Sequence, residues 1–164
     1  MINEYMEYYQ RNKQLDKMYE DRYSNIDSKY FEKNCLELIV ELCELANESK
    51  CFKYWTIKEA DKGLVLEEYA DCISMLLCIF NHYEVDEIKI IDRELSDDIV
   101  IIFNDVIRMC TMLMNEDIVT DELLYEIFTY LLHIGKLLNL DDRVILDVCY
   151  MKLGKNIERL NSDY

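Results

Sequence analysis

Apolar residues recur every three or four positions along nearly the whole chain, which is the spacing of one face of an α-helix. The periodicity predicts helices over about 3–21, 29–49, 62–83, 96–115, 120–139 and 142–161. Ser96-Asp97-Asp98 and Thr120-Asp121-Glu122 have the form of helix starts, with a capping side chain followed by acids in the first turn. One segment breaks the rhythm: "YEVDEIKIIDREL", residues 83–95, alternates like a short strand, but between helices a loop or a helical turn is the better expectation. No repeat, linker or low-complexity tract divides the chain. The expected fold is all-α, a bundle of about six helices in a single domain over residues 1–164.

Two helices carry polarity in the wrong places. On a wheel of about 100° per residue, Glu37, Glu44 and Glu48 fall within roughly 60° of Glu41. An apolar stripe (Phe31, Cys35, Leu38, Leu42, Leu45) flanks these acids on one side, and a second apolar patch (Leu36, Val40, Cys43) flanks them on the other. An ordinary solvated face would lie opposite a single stripe. The next helix contains "LEEYADCISMLLCIF", residues 66–80, with Glu68 and Asp71 inside a segment that is otherwise built for burial.

Buried carboxylates without compensation cost several kcal/mol each, so they protonate, pair with cations or bind metal. Basic residues are scarce around these four. Positions i and i+3 share a helix face, so Glu41/Glu44 and Glu68/Asp71 form two pairs that crossing helices can bring together. Oxygen-only ligands select hard cations, Mg²⁺ first and Mn²⁺ as a substitute. A di-iron bundle would use Glu-x-x-His pairs, and neither His82 nor His133 has an acid three residues before it.

Composition narrows the classes further. Three glycines and no proline favour long helices with short connections. A formal net charge of -16 disfavours nucleic acid and anionic membranes as partners. It also means that a phosphorylated substrate needs a cation to mediate binding. No apolar run reaches the roughly 18 residues of a membrane span, and the polar start "MINEYMEYYQRNKQLDKMYE" shows no signal peptide. Seven cysteines without a CxxC pair read as free thiols in a cytoplasmic protein, those at 35, 43, 72 and 78 as core packing, rather than as a zinc site. The two histidines read as structural or surface residues.

At the acid pairs the chain resembles a known family. "ELCELANESKCFKYW" (41–55) followed by "LEEYADCISMLL" (66–77), with a late Lys152…Asn156…Arg159 pattern, is similar to the all-α dimeric dUTPases. That family lies within the helical, Mg²⁺-dependent nucleoside triphosphate pyrophosphohydrolases, which share ExxE followed by ExxD. The resemblance implies an all-α NTP pyrophosphatase-like fold and conversion of dUTP, and of dUDP as a further substrate, to dUMP. It implies that Glu41, Glu44, Glu68 and Asp71 hold Mg²⁺, with Glu41 or Glu44 activating the attacking water and Glu48 supporting the ligands. It also implies that Asp71 touches the deoxyribose, that Lys53, Lys152, Asn156 and Arg159 grip phosphates, and that Trp55 walls the base pocket. Tyr164 is similar to the tyrosine near the family's C-terminal end. Association as a homodimer, with the site near the interface, is expected from the resemblance and from apolar surface on nearly every helix.

Two departures fall on base recognition. Asn12 stands where the family carries a uracil-reading glutamine, and Met75 where it often carries an aromatic residue stacked on the base. An asparagine amide offers the same donor and acceptor with a shorter reach. A methionine packs on a ring less specifically. The alternatives are therefore a related pyrophosphohydrolase for another nucleotide, such as dCTP, and a non-catalytic module whose acidic helical face docks a basic partner.

Overall fold

The computed structural model describes residues 2–23, 30–115 and 118–162. Tyr164 lies outside them. The described residues form six helices and no strand: α1 (Ile2–Tyr23), α2 (Tyr30–Ser49), α3 (Lys62–His82), α4 (Ile99–Met112), α5 (Asp121–Leu137) and α6 (Asp142–Asn161). The all-α expectation is met, and each predicted helix appears with ends shifted by no more than a few residues. None of these helices is long and apolar enough to cross a membrane.

The helix starts follow from local chemistry. The Asp61, Asp98 and Asp141 carboxylates each accept two backbone N–H bonds, from Gly63 and Leu64, from Val100 and Ile101, and from Arg143 and Val144. The Thr120 hydroxyl accepts from Leu123 N at 3.2 Å. Each cap satisfies donors that the first turn leaves without partners. In the 96–98 segment the cap is Asp98, while Ser96 Oγ accepts from the Asp98 N–H at 3.1 Å.

Helix α3 is the axis of the bundle and packs against α1, α2, α5 and α6. Its Tyr69, Ile73, Leu76, Leu77 and Phe80 are fully buried. The Tyr69 hydroxyl donates to Leu131 O of α5 at 2.9 Å. Gly135 makes that approach possible, because a Cβ there would lie 2.7 Å from the Tyr69 hydroxyl oxygen. The Tyr9 hydroxyl donates to Val85 O at 3.0 Å, which ties α1 to the loop after α3.

Residues 83–95 form a loop with no strand pairing. Their alternation still has a cause: Val85 and Ile88 are buried, and Ile91 N–H donates to Thr129 Oγ1 at 2.9 Å. The inward positions anchor an extended segment across the helices. The histidines also serve packing. His82 stacks on Phe31 with ring centroids 4.3 Å apart, and His133 Nε2 lies 2.9 Å from Ser96 O.

One expectation about the thiols needs correction. Cys43 is exposed and not part of the core, whereas Cys35 and Cys72 are buried and Cys78 is half-buried. Leu36, at 57% exposure, and Val40, at 44%, are likewise uncovered within one chain. The acidic stripe is thus flanked by core on one side and by exposed apolar surface on the other.

Candidate active site

The carboxylates come from α2 and α3, which pack side by side along their lengths. The stripe of Phe31, Cys35, Leu38, Leu42 and Leu45 is buried, and this burial rotates Glu41 toward α3. On α3, burial of Val65, Tyr69, Cys72 and Leu76 leaves Glu68 and Asp71 on the side facing those glutamates. One carboxylate oxygen from each of Glu41, Glu44 and Glu68 lies within 4.8 Å of the other two.

The electrostatics of this cluster are compensated only in part, by the Lys152 charge, which opposes the rise of Glu68 and Asp71. Burial, then the charges of Asp71, Glu44, Glu68 and Glu37, pushes the Glu41 carboxyl up to about 7. Burial together with neighbouring acids also raises Glu68 and Glu37. No ion pair among the described residues reaches Glu41, Glu44 or Glu68. Glu41 and Glu68 are half-buried and Glu44 is exposed; carboxylates crowded in this way are stabilised by a bound cation, and an all-oxygen donor set suits a hard divalent one. These three glutamates can hold a metal ion.

Asp71 is differently engaged. Its Oδ2 accepts from the Lys152 ammonium of α6, which also donates to Glu67 O at 3.0 Å. Burial raises the Asp71 carboxyl, and the Lys152 hydrogen bond and charge oppose that rise. Lys152 therefore stands beside the cluster as a built-in cation that pairs directly with Asp71 and also opposes the rise of Glu68 through its charge. Among the described residues Glu48 accepts from the Asn47 side chain alone, at 3.1 Å.

A cavity of about 240 Å³ lies next to Glu37, between α1, α2, α3 and α6. Asn12, Met75 and Asn156 line it together, although they belong to three helices distant in sequence. Asn12 Nδ2 donates to Ser74 O at 3.3 Å. Arg159, exposed, donates to Asn156 Oδ1 at 3.4 Å. Two larger depressions, of about 650 and 990 Å³, hold none of these residues.

Lys53 and Trp55 do not join the cavity. Trp55 is 64% exposed and packs edge-on against Tyr54 and Phe52, with Lys53 over the Phe52 ring. Asn34, Asp16, Tyr8 and Ser74, which no motif in the sequence marked, line the same cavity. Asn34 did leave a signal: it is a polar residue on the buried stripe of α2, between Phe31 and Leu38.

An all-helical chain with acid pairs on adjacent helices, a lysine beside them and a small polar cavity within reach has the parts of a helical phosphate-ester hydrolase. A family model described as dUTPase matches residues 4–164. The chain belongs to that family and is a dUTP diphosphatase, hydrolysing dUTP to dUMP. No curated protein matches it.

Proposed function

We propose that hydrolysis depends on Mg²⁺ bound by Glu41, Glu44, Glu68 and Asp71, with Mn²⁺ as a substitute. The observation that carries this is the approach of three carboxylate oxygens to within 4.8 Å, with no ion pair to them among the described residues. Bound there, the ion supplies charge neutralisation at the phosphates and a more acidic water. Glu41, the carboxylate most surrounded by other acids, orients the attacking water and takes its proton, with Glu44 as its partner. Asp71 joins the site when Lys152 turns from it to a substrate phosphate, and its carboxylate then also meets the sugar hydroxyl. Asn156 and Arg159 hold the phosphates from the same helix, Arg159 through its planar fork. Glu48 supports the glutamates from the next turn of α2.

The 240 Å³ cavity takes the base, with Asn12 as a reader and Met75 packed on the ring. Lys53 and Trp55 stand apart on an exposed connector. They would reach the nucleotide by closure of that connector or from a partner subunit. The exposed Leu36, Val40, Phe52, Trp55 and Ile57 support a homodimer, since a monomer would leave this apolar surface in water. Packing of α3 against four other helices supports reading residues 1–164 as one domain. Seven free thiols support a reducing, cytoplasmic setting.

The test is pyrophosphate release from each deoxynucleoside triphosphate, with Mg²⁺ and with a chelator. Release from dUTP that the chelator abolishes and Mg²⁺ restores is the expected result. Turnover unaffected by the chelator would overturn the metal assignment. Light scattering that finds only monomer at micromolar concentration would overturn the dimer.

A further inference from the structure

Asn12 and Asn34 are two of only three buried polar residues among those described, at 4% and 5% exposure, and both line the 240 Å³ cavity. Buried amides normally have their hydrogen-bonding groups satisfied. These two are satisfied only in part. Asn12 donates one N–H to Ser74 O, and its Oδ1 accepts nothing among the described residues. Asn34 donates one N–H to Cys78 Sγ at 3.5 Å, a weak acceptor, and its Oδ1 also accepts nothing.

The orientation of each amide is dictated by its partner. Ser74 O is a carbonyl and can only accept, so Asn12 must turn Nδ2 to it. Asn34 likewise turns Nδ2 to its partner, the Cys78 sulfur, which accepts at 3.5 Å. Each residue keeps one free N–H and one free carbonyl oxygen for a ligand.

The polar edge of uracil reads acceptor, donor, acceptor along O2, N3–H and O4. Its complement is donor, acceptor, donor. Asn12, with one N–H already committed, can supply one donor and one acceptor, which leaves the third position unread. Asn34 has the missing donor. Cytosine reads acceptor, acceptor, donor, and the same set would leave an N–H and a carbonyl facing like groups. At about 240 Å³ the cavity is below the ~300–1,000 Å³ of drug-sized sites and suits one ring.

We infer that Asn34 is a specificity-determining residue, donating to a uracil carbonyl as the second of two amides that together match the three-point edge of the base. This rests on the cavity being the base pocket. It also shows how a chain with asparagine in place of glutamine retains uracil selection: the second amide supplies the contact that the shorter first one cannot.

The experiment measures kcat and KM with dUTP and with dCTP for wild type, Asn34→Leu, Asn34→Asp and Asn12→Leu, together with dUMP binding and melting temperature. Asn34→Leu is expected to raise the dUTP KM and weaken dUMP binding by about tenfold, the scale of one lost hydrogen bond in a desolvated site, with kcat little changed. Asn34→Asp replaces a donor by an acceptor and is expected to move the dUTP-to-dCTP ratio of kcat/KM toward dCTP. A purely structural role would lower the melting temperature and leave that ratio alone. If Asn34→Leu does not fold, Asn34→Asp decides: an unchanged ratio in a folded protein overturns the proposal. Loss of selectivity in Asn12→Leu without any in the Asn34 variants also overturns it and leaves the base pocket standing. Selectivity retained in all three overturns both.

Discussion

The acidic cluster and the amide cavity adjoin each other on α2 and α3, yet they solve opposite problems. In the cluster, Glu41, Glu44 and Glu68 are like charges held together with no ion pair among the described residues. In the cavity, Asn12 and Asn34 are neutral groups that line it from nearly buried positions, each donating to one partner. The first arrangement is unfavourable until something positive arrives. The second costs less, since each amide keeps a hydrogen bond and lacks only part of its complement. The lesson is a division of labour. On the proposed reading, charge crowding would supply affinity for a metal ion, and through it for phosphate, without regard to the base, whereas oriented neutral dipoles would supply selectivity and little net attraction.

The comparison can be broken most directly at Glu68. Glu68→Ala should lower pyrophosphate release by at least the ~10²–10³-fold that follows loss of one preorganised charge-stabilising group. The melting temperature should hold or rise, because the substitution relieves repulsion with Glu44 and Asp71. Normal turnover in that variant would remove the cluster from the mechanism.

Gly135→Ala separates the scaffold from both regions. The new methyl would meet the Tyr69 hydroxyl at 2.7 Å and strain the α3–α5 contact. A loss of about 1–3 kcal/mol in urea unfolding is expected, the usual cost of overpacking, with the dUTP-to-dCTP ratio unchanged. An unaltered stability would mean that Tyr69 can move aside.

Lys152→Met tests whether the built-in cation competes with the metal. With Asp71 released, Mg²⁺ binding measured by calorimetry without nucleotide should tighten by about tenfold, and dUTP should bind more weakly. Unchanged metal affinity would mean that Asp71 is not a ligand.

The smallest expected effect is on pH. Glu41 is raised to about 7 from 4.5 and Asp16, mainly by burial, to about 6 from 3.8. An acid whose folded value is raised binds its proton more tightly when folded, so its contribution is complete below the unfolded value and lost as pH rises through the folded one. The metal-free protein should therefore melt a few degrees lower at pH 8 than at pH 5. Mg²⁺ should restore the Glu41 share and Asp16→Asn should remove the other. A melting temperature that rises between pH 5 and pH 8 without metal would contradict both assignments.

Much of this was legible along the chain. The 3.6-residue period marked all six helices, and the acids at 41, 44, 68 and 71 stood out because each interrupts apolar surroundings. The loop at 83–95 was harder to read, since its inward Val85 and Ile88 alternate as in a strand while its backbone pairs with no other strand. The exposure of Cys43, Leu36 and Val40 was not legible, because a wheel shows that a face is apolar but not whether a neighbour covers it.

By itself the sequence determined the helices and the two carboxylate pairs. Both depend on spacings of three and four residues, which local backbone geometry converts directly into shared faces. Only the tertiary structure decided which acid has a partner and which polar groups share a cavity. Lys152 and Asp71 are 81 residues apart and meet because α6 crosses α3. Asn34 meets the cavity of Asn12 because α1 and α2 both pack on α3. Such contacts depend on how helices cross, which is set by the packing of whole apolar faces and not by any short stretch of residues.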